Sequence, residues 1–233
     1  MANEDLVKFH RTVVSKLKEF LGVPKLKYAD RKEAANAVAN YFRQLSPKTP
    51  AEYQHFYDTC DDYIFENAYC NEENSCVQRT KKIYSVLQNY GVKTIVEFGV
   101  GVGTYAICLS QKGFDISVAK TEDLAFTFFL WRTHFHQIPI KLISHPQGKY
   151  DCAMFIDVIE HLINPFDFLS MVMQHTDLII FTHGFGVHRE DMGGYPQHFD
   201  YPINTIRKFL EKNGFQKQKI NLPFPPHVYK RTL

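Results

Sequence analysis

Several features that mark other classes of protein are missing from this 233-residue sequence. No apolar segment approaches the ~20 residues that a membrane-spanning helix needs. The first residues contain no long apolar run of the kind that a secretion signal carries. A net charge of +2 is too small to indicate nucleic acid or an anionic membrane as a partner. Internal repeats and low-complexity segments are also absent, so we expect a globular protein of the cytoplasm.

Cysteine is scarce as well, and its pattern does not match a disulfide framework. The five cysteines are odd in number and scattered along the chain. Cys60, Cys70 and Cys76 are not spaced like the ligands of a zinc site. Cys108 and Cys152 fall within apolar segments, which predicts two buried thiols. This usage favours a reducing compartment.

The N-terminal part of the chain has the pattern of a helical region. Apolar residues recur there at the spacing of a helix face in two successive stretches. A third, aromatic-rich helical segment runs from about Ala51 to Tyr69. Its aromatic stripe is typical of packing, and we also interpret Tyr53 and Tyr57 as part of a lid that contacts substrate. Ser75 begins the pattern of a capping box, which predicts the start of another helix. We therefore predict a helical cap over residues 1–74 and a second domain over residues 75–233.

The rhythm changes at Lys93, where short β-rich runs begin to alternate with helical runs. Strands that alternate with helices predict right-handed crossovers and a parallel sheet covered by helices on both faces. Asn164 and Pro165 mark the start of one helix, because proline is tolerated in the first turn. Gly214 ends the last predicted helix, and two strand-like segments follow it. The pattern predicts a doubly wound α/β fold.

The turn after the first predicted strand contains the most informative motif. Glu97 is followed by glycines at alternate positions, namely Gly99, Gly101 and Gly103. Glycine tolerates positive φ and lacks a Cβ, so the strand can turn sharply into a helix and a ligand can touch the backbone. The amides at the start of that helix suit an electron-rich ligand, and the glutamate can accept hydrogen bonds from a cationic amino group. A turn shaped only by tight packing is the alternative interpretation.

A second motif follows the fourth predicted strand. Asp157, Glu160, His161 and Leu162 stand in the pattern Asp-x-x-Glu-His-Leu. An acidic residue with a Gly-x-Gly-x-Gly turn, followed at this distance by Asp-x-x-Glu-His-Leu, resembles the class I S-adenosylmethionine-dependent methyltransferases. The resemblance covers about residues 75–233.

The resemblance implies a mostly parallel, seven-stranded sheet whose last strand is antiparallel. It also implies that S-adenosylmethionine is the cofactor, lying at the carboxyl ends of the first, second and fourth strands, where ligands of open α/β sheets bind. Glu97 would approach the methionine ammonium, and the glycine turn, with Gly99 and Gly101 foremost, would line the methionine and ribose. Asp157, or its neighbour Ile156, would lie beneath the sulfonium side of the site, and His161 would lie near the reacting methyl group.

Two positions depart from the family pattern. Lys120 stands at the end of the second predicted strand, where the family usually places the acid that grips the ribose hydroxyls, and lysine only donates hydrogen bonds. Three interpretations remain: Lys120 points away while Glu122 reaches the ribose, a later strand end places Glu122 or Asp123 there, or the site holds a phosphate or carboxylate. We predict Glu122 as the ribose ligand. After the third strand, where the family often contacts adenine, no acid occurs before Asp151.

Histidines are concentrated after the fifth predicted strand. His183, His188 and His198 lie in a glycine-rich loop on the ligand side of the sheet, and loops carry binding residues. We assign His183 and His198, with His161, to catalysis, because a histidine of near-neutral pKa can take a proton from a nucleophile. His188 is assigned to substrate binding. These histidines and the acids of the loop could hold a metal ion, but their spacing matches no compact site and we predict none.

The sequence as a whole predicts an enzyme that transfers a methyl group from S-adenosylmethionine to a small molecule. A small acceptor fits the lack of a basic face for nucleic acid. Two alternatives stay open. One is a binding protein on the same fold with an altered cofactor site. The other is a metal-dependent enzyme that uses His183, His188 and His198.

Overall fold

A computed structural model of the chain describes residues 6–184, 190–220 and 226–232. Helices occupy the N-terminal part, and strands and helices then alternate as predicted. The helices are α1 (Val13–Leu21), α2 (Arg31–Leu45), α3 (Pro50–Thr59), α4 (Tyr63–Glu72), α5 (Asn74–Asn89), α6 (Thr104–Ser110), α7 (Leu124–Phe135), α8 (Pro165–His175) and α9 (Ile203–Lys212). The strands are β1 (Thr94–Phe98), β2 (Asp115–Ala119), β3 (Lys141–Ile143), β4 (Cys152–Phe155), β5 (Leu178–Phe181), β6 (Phe215–Lys217) and β7 (His227–Arg231). Short 3-10 helices cover Ile159–His161 and Glu190–Met192.

The strands form one seven-stranded sheet in the order β3-β2-β1-β4-β5-β7-β6. Strands β1 to β5 run parallel to one another, whereas β7 runs antiparallel to both β5 and β6. The predicted doubly wound, mostly parallel sheet with an antiparallel last strand is therefore confirmed. The chain moves outward on opposite sides of β1 and β4, so a crevice opens where these two strands end.

The two faces of the sheet bury two separate clusters of apolar side chains. Ile95 of β1 packs with residues of α5, α6 and α7. Val96 and Phe98 pack with residues of α8 and α9 on the other face. Because side chains alternate along a strand, Glu97 shares the face of Ile95. An acidic side chain thus points into an apolar layer just below the glycine turn.

The N-terminal helices pack against the sheet layer through a third cluster. Val13 and Leu17 of α1 meet Ile64 and Ala68 of α4, and both helices contact Phe128 of α7. Helix α4 therefore lies over the start of the glycine turn. The division into a cap over residues 1–74 and a second domain stays a prediction.

Local details of the helices correct two expectations. The aromatic-rich segment forms two helices, α3 and α4, separated at Cys60 and Asp61. Ser75 does not cap α5, which begins at Asn74 without a side-chain cap. The capping box belongs to α3 instead, where the side chain of Thr49 and that of Glu52 each accept the other residue's backbone N–H.

Other features agree with the predictions from sequence. Cys108 and Cys152 are fully buried, and all five cysteines are free thiols. Pro165 opens α8, and the Asn164 side chain accepts hydrogen bonds from two amides of its first turn. Gly214 follows α9 with a positive φ of 82°. Within the described ranges, no helix is both long and apolar enough to cross a lipid bilayer.

Candidate active site

The glycine turn lies at the carboxyl end of β1 and has the left-handed backbone that its sequence predicts. Gly99, Gly101 and Gly103 have φ values of 62°, 52° and 77°. A Cβ on Gly103 would stand 1.9 Å from a ring carbon of Phe129, so packing alone requires a glycine at this position. A Cβ on Gly101 would stand 2.9 Å from the Asn67 side-chain oxygen of α4. The packing interpretation thus holds for the third glycine, whereas the second faces a movable polar side chain of the cap.

Glu97 is a buried carboxyl group directly below this turn. It is only 2% exposed, and its Oε2 atom has no hydrogen-bond partner among the described residues. Burial raises the pKa of Glu97 to about 8, because an apolar environment disfavours the charged form. A buried acceptor without a donor costs free energy, so this atom suits a ligand that brings a cationic N–H group.

Asp157 follows β4 and is fixed by two neighbours. Its carboxylate forms an ion pair with Arg79 of α5 and accepts a hydrogen bond from the Thr182 hydroxyl at 2.6 Å. The Thr182 oxygen in turn accepts the backbone N–H of Asp157 at 3.0 Å. Asp157 has a φ of 55°, which is uncommon for a residue other than glycine. These contacts place the Asp157 side chain at the crevice between β1 and β4 and link it to α5.

The end of β2 resolves part of the question about Lys120. The strand ends at Ala119, and the backbone N–H of Lys120 donates to Ile143 of β3 at 2.9 Å. The Asp123 side chain caps α7 by accepting the amide of Phe126 at 2.7 Å, so it is already engaged. Lys120 and Glu122 are both exposed beside the strand end. Glu122 remains the predicted ribose ligand.

A compact cluster forms where β4 and the segment after β5 meet. One ligand atom from each of Glu160, His161 and His198 lies within 4.8 Å of the other two. The rings of His161 and His198 meet edge to face with centroids 4.6 Å apart. Glu160 is 1% exposed and accepts the Gly184 amide at 2.6 Å through Oε1, while no described residue donates to Oε2. Two imidazoles and a carboxylate in this arrangement are a donor set that divalent metal ions accept.

The surroundings of this cluster favour the uncharged forms of Glu160 and His161. Burial, followed by the neighbouring Asp157 carboxylate, raises the pKa of Glu160 to about 8. Burial, with His198 close by, lowers the pKa of His161 well below its ordinary value. His161 is therefore a neutral imidazole that can accept a proton.

The cap contributes aromatic side chains to the same cluster. The Tyr57 hydroxyl is hydrogen-bonded to His161 Nδ1 at 2.8 Å, and the Tyr63 hydroxyl lies 3.4 Å from Nε2. Tyr53 packs against Phe199 instead, with ring centroids 4.8 Å apart. Of the two predicted substrate contacts, Tyr57 therefore touches the histidine cluster and Tyr53 supports the segment that carries His198.

The three loop histidines do not form one group. His198 joins the cluster with His161, whereas His183 stacks on His227 of β7 at a centroid distance of 4.9 Å. His188 lies outside the described residues. Among the described residues, the candidate metal ligands thus come from two separate motifs.

Several residues at this site were not predicted from the sequence. Asn67 and Arg79 come from the cap and from α5, far in sequence from both motifs, so spacing gave no indication of them. One signal did exist for Arg79, because it is the lone basic residue within an acidic stretch over residues 51–80. In the structure this residue pairs with Asp157, which lies outside the acidic stretch.

A cavity of about 360 Å³ lies at the end of the sheet opposite the glycine turn. Tyr90, Asp151, Asp177 and Lys230 are among its lining residues, at the amino ends of the strands. The Asp151 carboxylate already accepts two backbone N–H groups there. Because ligands of open α/β sheets bind at the carboxyl ends, this cavity is not the candidate site.

Comparison with known proteins supports the assignment of the fold. No protein-family model matches the sequence, and no curated protein matches it. Magnesium protoporphyrin IX methyltransferase from Synechocystis PCC 6803, solved with bound SAM, is similar in structure, with a TM-score of 0.53 and 15% identity over 89% of this chain and 100% of that chain. A protein from Nostoc punctiforme PCC 73102 with an O-methyltransferase assignment gives a TM-score of 0.61 and 12% identity over 93% of this chain and 73% of that chain.

A third solved structure agrees. An S-adenosylmethionine-dependent methyltransferase from Clostridium acetobutylicum ATCC 824 gives a TM-score of 0.54 at 10% identity, over 66% of this chain and 91% of that chain. Together with the strand order, these similarities show that the chain has the fold of the class I S-adenosylmethionine-dependent methyltransferases.

Proposed function

We propose that this protein is a cytoplasmic enzyme that transfers a methyl group from S-adenosylmethionine to a small-molecule acceptor. One observation carries the proposal. On a methyltransferase fold, the buried Glu97 stands directly below the glycine turn with one oxygen that no described residue contacts by a hydrogen bond, and a cationic ligand would satisfy that oxygen. Solved structures of the same fold contain SAM or SAH, which is consistent with this cofactor.

The residues present fit S-adenosylmethionine. Glu97 would accept the methionine ammonium, since its Oε2 has no donor among the described residues. The exposed Glu122 would accept the ribose hydroxyls at the end of β2. The Asn67 side chain, which faces Gly101, would move aside when the cofactor approaches the turn. The Arg79 ion pair would hold Asp157 beside the cofactor without contributing a free charge.

The acceptor would bind between the cap and the carboxyl ends of β4 and β5. S-adenosylmethionine supplies a methyl group that is already activated by positive charge on sulfur, so the protein chiefly has to align the acceptor. Tyr57 and the half-buried His161 and His198 would line this space. In this proposal the neutral His161 would take a proton from a hydroxyl or amine acceptor.

Calorimetric titration with S-adenosylmethionine and with S-adenosylhomocysteine tests the cofactor site. We expect both to bind, and we expect Glu97→Gln to weaken binding by about 10- to 100-fold, because a charge-assisted hydrogen bond contributes roughly 1.5–3 kcal/mol. Glu122→Ala should weaken binding as well. Lys120→Ala is the matched control, since it alters an exposed side chain two residues away and should leave the affinity unchanged.

The same titration reports the protonation of Glu97. The pKa of Glu97 is about 8 in the free protein, so its carboxyl group holds a proton at pH 7. Binding of the ligand's ammonium group should stabilise the carboxylate and release that proton from Glu97. The observed heat should then depend on the ionisation enthalpy of the buffer, and Glu97→Gln should abolish that dependence. A folded protein that gives no heat with either ligand would show that the cofactor site is altered and would favour the binding-protein alternative.

A second candidate is a methyltransferase whose acceptor is positioned by a divalent metal ion. The cluster of Glu160, His161 and His198 favours it, because three ligand atoms converge within 4.8 Å and the Glu160 Oε2 atom has no donor among the described residues. Metal binding would keep Glu160 ionised. This site differs from the loop-histidine site that the sequence suggested.

Metal content separates the two candidates. Protein purified without a histidine tag should contain about one divalent ion per chain if the cluster is a metal site, as measured by mass spectrometry of the elements. His161→Ala and His198→Ala should lose the ion, whereas His183→Ala should retain it, because His183 stacks on His227 instead. Protein that takes up no added magnesium, manganese or zinc leaves the unassisted reaction as the remaining candidate.

A further inference from the structure

Two cysteines that are separate in sequence come into contact at the junction of α4 and α5. The Sγ atoms of Cys70 and Cys76 lie 3.6 Å apart. Cys76 is 2% exposed, and Cys70 is half-buried. The junction lies beside the candidate cofactor site, because Arg79, one helical turn after Cys76, pairs with Asp157.

The surroundings make Cys76 the more reactive of the two thiols. A hydrogen bond from Cys70, the Arg79 guanidinium and the Tyr105 hydroxyl together lower the pKa of Cys76 to about 7, against the effect of burial. The same contact and burial raise the pKa of Cys70. Burial raises the pKa of Cys108 to about 12. Since the thiolate is the nucleophile, Cys76 is the thiol that an oxidant would attack first.

We propose that Cys70 and Cys76 form a reversible disulfide on reaction with hydrogen peroxide, and that this bond locks α4 over the glycine turn. The Cys76 thiolate attacks a peroxide oxygen, the O–O bond breaks, and Cys76 becomes a sulfenic acid. Hydroxide leaves and takes up a proton as water. The Cys70 sulfur then attacks Cys76 and displaces the sulfenic oxygen, which leaves as water with the Cys70 proton. Two thiols are oxidised, and one peroxide is reduced to two waters.

The disulfide restrains the cap at the position that faces the cofactor turn. Bond formation draws the two sulfur atoms from 3.6 Å to about 2.05 Å and ties the end of α4 to the first turn of α5. Asn67 lies one turn before Cys70, with its side chain against Gly101. Its carbonyl accepts the side-chain amide of Asn71 at 2.9 Å, which extends the restraint along the helix. A cofactor that enters at Gly101 must then displace the Asn67 side chain from a tethered helix.

Peptide mapping tests the formation of the disulfide. Reduced protein is treated with limiting hydrogen peroxide, blocked with N-ethylmaleimide, unfolded and cleaved after glutamate without reductant. Cleavage after Glu66, Glu72 and Glu73 puts Cys70 and Cys76 in separate fragments. A disulfide between them would therefore join residues 67–72 to residues 74–97. We expect this joined pair, with the loss of two hydrogen atoms, and its separation by dithiothreitol.

Variants define the order of the two steps. Cys70→Ser should leave a sulfenic acid on Cys76 that dimedone traps, whereas Cys76→Ala should give neither product. Cys60→Ser is the control and should oxidise like the wild type. The proposal is overturned if peroxide joins fragments at random, or if the joined pair forms equally in protein that is unfolded before oxidation.

The locking step is measured by hydrogen exchange and by cofactor titration. Oxidation should slow amide exchange in α4 in the wild type but not in Cys70→Ser; unchanged exchange would overturn the locking step. The effect on the cofactor rests on the proposed function, and oxidation should weaken S-adenosylmethionine binding by about 5- to 150-fold, reversibly. If reduced protein binds no S-adenosylmethionine, the methyl-transfer proposal fails. The mapping and exchange data still decide whether the Cys70–Cys76 disulfide forms and restrains α4.

Discussion

Three acidic side chains lie near the carboxyl ends of the parallel strands, and their neighbours compensate their charges to different extents. Asp157 meets Arg79 and Thr182, which compensate its charge. Glu97 and Glu160 are 2% and 1% exposed, and each has an oxygen without a partner among the described residues. Their pKa values rise to about 8 in consequence. The site therefore holds two protons near neutral pH, and a cationic ligand or metal ion would displace them.

Adding one methyl group at Gly103 tests whether glycine is needed there for close packing or only for the left-handed backbone. Gly103→Ala should destabilise the fold strongly, because the left-handed backbone costs about 1–2 kcal/mol and the clash with Phe129 adds about 1–3 kcal/mol. Gly113→Ala is the matched control, since Gly113 has a φ of 90° but nothing lies within 4 Å of its added Cβ. Urea unfolding measures both free energies.

Similar free energies of unfolding for the two variants would show that Phe129 moves aside without cost. In that case the turn would tolerate side chains at its third glycine, and only its backbone conformation would matter. A larger loss for Gly103→Ala would establish that this glycine serves the packing of α7 against α6.

At the scale of elements, α2 fixes the segment that carries His198. The Asn36 side chain donates to the Asp191 carbonyl at 3.2 Å, and Arg43 donates to the Gly193 carbonyl at 2.5 Å. Arg31 donates to the Tyr195 hydroxyl at 3.2 Å. The histidine cluster is thus assembled from the end of β4, the segment after β5 and the cap.

Arg31 also ties the cap helices to one another. Its guanidinium pairs with Glu66 of α4 at 2.8 Å and with Glu73, at the α4–α5 junction, at 2.9 Å. Glu66 is 8% exposed, so the loss of Arg31 would leave a buried carboxylate without its cation, which is strongly destabilising. The cap therefore depends on ion pairs as well as on its apolar cluster.

Elements with strong local signals were predictable, and weaker ones were not. Strand β4 and helix α8 are marked by a continuous apolar run and by Pro165, and both occur where predicted. The break between α3 and α4 has no glycine or proline, so the aromatic pattern continued across it in sequence. Capping of α5 was predicted wrongly because Ser75 hydrogen-bonds to Glu73 instead.

At the scale of the whole molecule, buried titratable groups should make stability depend on pH. A carboxyl group with a raised pKa binds more protons when folded, so it lowers stability as pH rises from its unfolded value of about 4.5 toward 8. Buried His10, whose pKa falls to about 4, acts in the opposite direction but only below its ordinary value of 6.5. Between pH 6.5 and 8 the carboxyl groups should therefore dominate.

The expected result is a fall in the free energy of unfolding over that range, by about 1–2 kcal/mol for each buried glutamate. Glu97→Gln should remove its share, because glutamine keeps the shape and does not titrate. Urea unfolding at several pH values checks this, with ligand-free protein throughout. Equal slopes for the wild type and the variant would mean that Glu97 is ionised in the folded protein.

The sequence by itself determined the fold class and the two motifs, because strand and helix periodicity, glycine turns and Asp-x-x-Glu-His-Leu are local signals. It also placed the glycines and Glu97 at the end of one strand. Only the tertiary structure decided which distant side chains meet: Asn67 with Gly101, Arg79 with Asp157, Cys70 with Cys76, and His198 with His161 rather than with His183. Such contacts depend on how the helices and loops pack over the sheet, and they join residues whose separation in sequence carries no periodic signal.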